Sequence, residues 1–352
     1  MSERAPLFLQ TAYEAWAAYG DGRRITEATE VSANVSTNHV YRLALDDGGS
    51  VIAKVSSYGS YYLFREDHDR LHRCQVRLEN SRFASLLADV LTRDGKAFTY
   101  QAGDRWVAFY QEVPKLGALP AVLSEDQIAN LATELAEFHL ACHRAAATIP
   151  PSATSLVSDI LYLLDLLSDS ASASRFHFSA HELAMVRRHG EAFLEATEAL
   201  GYEDWARIPV LVDWNLGNFS VENESDGKHF RLATRWDYDW FRIEPRQLDF
   251  YFLSRVSSAT GDRSVFTYGP HTLLEPRFAA FLRAYSSVFP LTENELRFIP
   301  ETYRFFILNY VIRAGASFFQ PSLCSQLQRD AVTLCLPALE TFNVERLLDF
   351  VY

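Results

Sequence analysis

An α+β chain in two lobes is predicted: a small β-rich lobe over residues 1–113 and a larger, mainly helical lobe over residues 114–352. Three observations carry this. Two hairpin patterns fall in the first third of the chain. Helical periods dominate after residue 124. Between them Pro114, Gly117 and Pro120 break regular structure, which reads as a hinge. At 352 residues the chain is long enough for two lobes around one hinge. Hydrophobic residues at 48% and charged residues at 22% are ordinary for a globular protein, and 25 Phe with 17 Tyr point to aromatic-rich cores.

Taken in order, the chain opens with a helix and then turns to strands over about residues 31–55. VYRLALDDGGSVIAKV alternates apolar residues on both sides of Asp46, Asp47, Gly48 and Gly49, a hairpin signal that places Lys54 near the end of its second strand. Residues 64–90 are charged and helical in period. FTYQAGDRWVAFYQEV is a second hairpin, turning at Ala102, Gly103 and Asp104. After the hinge, Ser124 followed by Asp126 and Gln127 fits an N-cap ahead of IANLATELAEFHLACH. Helical periods recur in SDILYLLDLL, HELAMVRRHGEAFLEATEAL, RFAAFLRAYSSVF and ENELRFIPETYRFFILNYVIRAG. Residues 211–249 interrupt them with short strands.

Composition excludes some functions. A formal net charge of −12 argues against nucleic acid as a partner, which needs a basic face. No apolar run is long enough for a membrane span. The first ten residues, MSERAPLFLQ, lack a secretory signal pattern, and Cys74, Cys142, Cys324 and Cys335 form no CxxC pair. A cytoplasmic protein with reduced thiols is expected, as monomer or homodimer. Asn-x-Ser/Thr triplets at Asn34, Asn218 and Asn223 carry no weight without a signal sequence.

The chemistry concentrates in residues 211–249. An apolar run delivers Asp213, and Asn218 follows after four intervening residues. A second apolar segment delivers Asp237 and Asp239. This is the spacing of a phosphoryl-transfer loop: an Asp that orients an acceptor hydroxyl and takes its proton, an Asn that holds a metal, and a second metal-binding carboxylate after the next strand. Asp and Asn oxygens suit Mg²⁺ together with nucleotide phosphates. Lys54 is the residue type that contacts α- and β-phosphates. A carboxylate on the charged helix after it would hold that lysine; Glu66 is the choice, with Asp67, Asp69 and Glu79 as rivals.

On these residues the chain resembles the aminoglycoside phosphotransferase and choline kinase-like group of small-molecule kinases, whose fold is the bilobal protein kinase-like one. That group's loop usually reads His-Gly-Asp-x-x-x-x-Asn. Here Leu211 and Val212 stand before Asp213, and Asn218 closes the loop. The metal strand, usually Ile-Asp-Trp-Glu or Ile-Asp-Phe-Asp, is similar to Trp236, Asp237, Tyr238 and Asp239. Glu244 and Pro245 with Asp249 and Phe250 resemble the Asp-Pro…Asp-Leu-Ala element that follows. EFHLACH resembles the family's Leu-His helix ending. The likeness runs from about residue 25 to residue 320.

The resemblance implies ATP and Mg²⁺ as cofactors and a small-molecule hydroxyl compound as acceptor: an aminoglycoside, an amino alcohol or a sugar-like molecule. It implies Asp213 as catalytic base, and Asn218 and Asp237 as metal ligands. Lys54 would bind phosphates, paired with Glu66, and backbone groups between Gln111 and Val113 would meet adenine. Asp249 would cap backbone groups beneath the loop. The phosphate-covering segment has no glycine, so Ser32, Ser36, Thr37 and Asn38 would serve there with side chains. A catalytically inactive nucleotide- or ligand-binding module on the same fold is the alternative. A metal-dependent hydrolase using the same carboxylates is a third reading.

Other signals have bland readings. His68 with His72, and His139 with His143, are spaced like a zinc helix, but surface or interface histidines are the expectation. Trp214, Trp236 and Trp240 are expected to pack the core rather than to cage a cation.

Overall fold

The computed structural model describes residues 5–33, 36–225, 229–261 and 268–351. They form two compact units. The first comprises residues 1–115 with 234–236 and 316–323; the second holds the remainder.

The first unit opens with α1 (Ala5–Tyr19), followed by β1 (Ile25–Glu30), β2 (His39–Leu45), β3 (Ser50–Ser56) and α2 (Tyr61–Leu78). Two short strands, β4 (Thr92–Arg93) and β5 (Lys96–Ala97), precede β6 (Thr99–Ala102) and β7 (Arg105–Gln111). The main sheet has the order β1-β2-β3-β7-β6 and is antiparallel throughout. Both expected hairpins are present. Gly48 at φ 85° and Gly103 at φ 61° supply the left-handed backbone that their turns require.

One face of this sheet packs on α1. Phe8, Ala12, Ala15 and Trp16 meet Tyr41, Leu43, Leu45, Val51, Ala53, Val55, Val107 and Phe109 in one apolar cluster. Because strand side chains alternate, Lys54, Trp106, Ala108 and Tyr110 fall on the opposite face. Helix α2 starts at the Ser60 N-cap and ends at Leu78, well short of residue 90. Its continuation stops because Ser81 Oγ turns back to the Leu78 carbonyl and accepts the Phe83 N–H.

The second unit is mainly helical, with α3 (Glu125–Ala146), α4 (Leu156–Ser168), α5 (Ser172–Phe176) and α6 (Ala180–Leu200). Four short strands follow: β8 (Ile208–Val210), β9 (Phe219–Asn223), β10 (Phe230–Arg235), whose last two residues are grouped with the first unit, and β11 (Arg242–Glu244). Then come α7 (Phe250–Ser257), α8 (Pro276–Val288) and α9 (Glu293–Phe305), and a π-helical stretch over Phe306–Arg313 continues α9. Ser124 and Gln127 cap α3 reciprocally, as its sequence foretold. Helix α3 packs on α8, α4 on α6, and α6 on α9. All four cysteines are buried free thiols. Among the described residues no helix is long and apolar enough to cross a membrane.

Candidate active site

Two small ladders position the loops. Strand β8 pairs antiparallel with β11, Val210 opposite Arg242. The loop that leaves Val210 carries Asp213, and the loop that enters Arg242 carries Asp237 and Asp239, so both emerge from one end of this ladder. Strands β9 and β10 pair with each other and are joined by six residues, too few for a parallel crossover. Asn218 immediately precedes β9, and Asp237 lies two residues beyond β10. The hairpin therefore brings Asn218 and Asp237 to its same end.

Local bonding fixes the Asp213 loop. Asn218 Nδ2 donates to the Asp213 carbonyl at 3.4 Å, and the Asn215 N–H donates to Asp213 Oδ1 at 3.2 Å. Val212 holds φ 61° and Asp237 holds φ 70°. Both lie in the left-handed region, which is costly for a β-branched residue such as Val212 and is concentrated at functional sites. Asp237 is exposed, and its Oδ1 accepts the Asp239 N–H at 3.2 Å.

What holds Val212 there is Asp249, which is fully buried. Its Oδ1 accepts the backbone N–H of Leu211 at 3.1 Å and of Val212 at 2.6 Å. Its Oδ2 faces His139 Nε2 at 2.9 Å. His139 is itself fully buried, and burial lowers its pKa, so the ring is neutral. A carboxylate only accepts, so the proton sits on Nε2; Nδ1 then accepts from the Tyr285 hydroxyl at 2.9 Å. Burial pushes the Tyr285 hydroxyl well above its ordinary pKa, which keeps it a donor. The chain Tyr285–His139–Asp249 thus ends on the two N–H groups just before Asp213. The expectation that Asp249 caps the loop agrees with this geometry.

Of the surface or interface positions expected for these histidines, the surface one is overturned for one member of each pair. His68 is 7% exposed and His139 is 0% exposed. The i and i+4 spacing does not reveal which face of a helix turns inward. His68 Nδ1 lies 2.6 Å from the Phe64 carbonyl and Nε2 2.7 Å from the Tyr110 hydroxyl. Burial, with Lys54 adding to it, brings its pKa down to about 3. Trp214 is fully buried between Phe138 and Phe219, and Trp240 packs with Phe252, Phe306 and Tyr310, so both belong to the core.

In the first unit, Lys54 is 8% exposed on β3, opposite Val40 and Ala108. Glu66 lies on α2, 3.6 Å from Arg70 and 3.7 Å from Arg65. Two arginines on the same helix compete for that carboxylate. The Gln111 N–H donates to the Asp89 carbonyl at the end of β7, and Val113 lies half-buried just beyond the strand. Of the proposed phosphate-covering side chains, Ser32 bonds Glu30 and the Val40 N–H, Ser36 accepts the Asn38 N–H, and Thr37 bonds the Ser317 carbonyl. The Ser32 and Ser36 hydroxyls bond within their own segment, whereas Thr37 bonds one distant in sequence. Asn34, in the same segment, lies outside the described residues.

Among the described residues no group of three His, Cys, Asp or Glu side chains forms a metal cage. Mg²⁺ takes hard oxygen donors, such as an amide oxygen and a carboxylate together with the oxygens of a bound phosphate chain. The donors Asn218 and Asp237 are of that kind.

No protein-family model matches the chain, and no curated protein matches it in sequence. Solved structures do match. An amicoumacin kinase in complex with AMP-PNP and Ca²⁺ aligns over 96% of this chain and 98% of its own, with TM-score 0.62 and 11% identity. A microcompartment-associated aminopropanol kinase aligns over 97% and 98%, with TM-score 0.59 and 16% identity. A putative fructosamine-3-kinase from Thermobifida fusca aligns over 90% and 97%, with TM-score 0.52 and 19% identity. At these identities the likeness establishes the fold: the chain has the protein kinase-like α+β fold of these structures.

Proposed function

We propose that this protein is an ATP-dependent phosphotransferase that moves the γ-phosphoryl group to a hydroxyl of a small molecule. The observation that carries the reading is the loop of residues 211–218. Asp213 and Asn218 are tied together within it, and Asp249 braces it from beneath. The neighbours act on amicoumacin, aminopropanol and fructosamine by their names, which supports a small hydroxyl compound as acceptor.

In this reading Asp213 orients the acceptor hydroxyl and receives its proton as the oxygen attacks the γ-phosphorus. The bond to the β–γ bridging oxygen breaks and ADP leaves. Asn218 and Asp237 hold Mg²⁺, which when bound neutralises charge on the phosphates. Lys54 contacts the α- and β-phosphates, and backbone groups between Gln111 and Val113 meet adenine. Glu66 on α2 is the carboxylate proposed to hold Lys54. A cytoplasmic location and a monomer or homodimer complete the proposal.

Thermal-shift titration with Mg-ADP tests the nucleotide site directly. At 100 times Kd the ligand adds about 2.7 kcal/mol to the stability of the folded state. A melting temperature that does not move would remove the ATP reading. Binding without turnover of any alcohol would favour the inactive module.

A further inference from the structure

Buried guanidinium groups need an anion. Arg70, Arg242 and Arg246 follow this rule: each is under 9% exposed and sits against Asp67 at 3.1 Å, Asp159 at 2.7 Å or Glu295 at 2.8 Å. Arg255, 7% exposed in the last turn of α7, does not. Among the described residues its contacts are one amide and two aromatic faces. Nη1 donates to Asn215 Oδ1 at 3.2 Å. The guanidinium lies 4.8 Å from the ring centroid of Tyr268 and 5.4 Å from that of Phe252. The carbonyls at the end of α7 give it a partial negative field, weaker than a carboxylate.

The amide it touches belongs to the Asp213 loop. The Asn215 N–H donates to Asp213 Oδ1 at 3.2 Å, so two hydrogen bonds connect Arg255 to the proposed base. The rings fix the guanidinium plane and Asn215 fixes one edge. The remaining N–H groups form the fork that suits carboxylate or phosphate.

We propose that Arg255 is an oxyanion-binding residue of the Asp213 site. It takes a carboxylate or phosphate, borne by the acceptor or by the phosphoryl group in transfer. This rests on the phosphotransferase reading and specifies it, since the acidic balance of the whole chain does not set the local sign.

The test compares the parent with Arg255→Met and Arg255→Lys, each checked for folding by circular dichroism. In one arm, calorimetry measures Mg-AMP-PNP against Mg-ADP. In the other, with Mg-ADP saturating, thermal shift measures alcohols that differ by one carboxylate: homoserine against 3-aminopropan-1-ol, and threonine against 1-aminopropan-2-ol. The parent should prefer the more anionic member in at least one arm, which identifies the source of the oxyanion. Arg255→Met should lose that preference by about 10- to 100-fold, the effect of one charged hydrogen-bonding group. Arg255→Lys should keep part of it, and carries the comparison if the Met variant does not fold. Equal preferences in parent and variants, or no preference in the parent in either arm, would overturn the proposal. A parent that binds no Mg-nucleotide defeats the phosphotransferase reading instead, and the alcohol arm, run without nucleotide, still tests Arg255.

Discussion

Replacing Asp249 by Ala removes the acceptor for three buried donors at once: the Leu211 N–H, the Val212 N–H and His139 Nε2–H. Each donor left unsatisfied costs about 1–3 kcal/mol, so the raw total is about 3–9 kcal/mol. The space vacated by the carboxylate can admit a water, which places the expected loss near the low end, about 3–5 kcal/mol. Asp249→Asn should cost less, about 1–2 kcal/mol. Its amide oxygen still accepts from the two backbone groups, and only the face toward His139 becomes donor against donor. Urea unfolding followed by tryptophan fluorescence reads this well, because Trp214 is fully buried within the loop. A cycle with His139→Ala should show coupling above about 0.5 kcal/mol, since the two residues share one hydrogen bond. A loss below about 1 kcal/mol in Asp249→Ala, or equal losses for Ala and Asn, would refute the argument that this carboxylate holds Val212 in its left-handed conformation.

Two further outcomes follow from the geometry. His68 takes up a proton near pH 6.5 in an unfolded chain but only near pH 3 when folded, so the unfolded state binds more protons in that window. Stability is therefore complete above pH 6.5 and falls as pH drops, by up to about 1.4 kcal/mol per unit from this group. Between pH 6.5 and 5 the parent should lose about 2 kcal/mol more than His68→Gln in urea unfolding; parallel curves would contradict the neutral, buried imidazole. Asp237→Ala should raise the Mg²⁺ concentration needed for half-maximal turnover at least about tenfold, and an unchanged requirement would remove Asp237 from the metal site.

Much of this arrangement was readable from residues alone. The hairpins at Gly48 and Gly103 were visible because a period of two and a turn residue coincide. The Asp213–Asn218 loop was visible because both polar residues follow one apolar run, and there Asn218 bonds the Asp213 carbonyl. Side chains whose role depends on tertiary burial were not visible. Nothing in EFHLACH says that His139 faces inward against Asp249, and nothing in FREDHDRLHRC says that His68 reaches Tyr110. Arg255 sits in FYFLSRVS, where one charge on an apolar helix reads as a solvated end; its contact with Tyr268 comes from a segment beyond the end of the helix.

Asp213 is proposed as the proton acceptor of a phosphoryl transfer. The direct measurement is Mg-ATP-dependent ADP release across hydroxyl acceptors, run with the parent and with Asp213→Asn at equal nucleotide occupancy. Acceptor-stimulated ADP release is expected from the parent and a loss of at least about 100-fold in the variant, with Mg-ADP binding retained. Near-parental turnover by Asp213→Asn would contradict it.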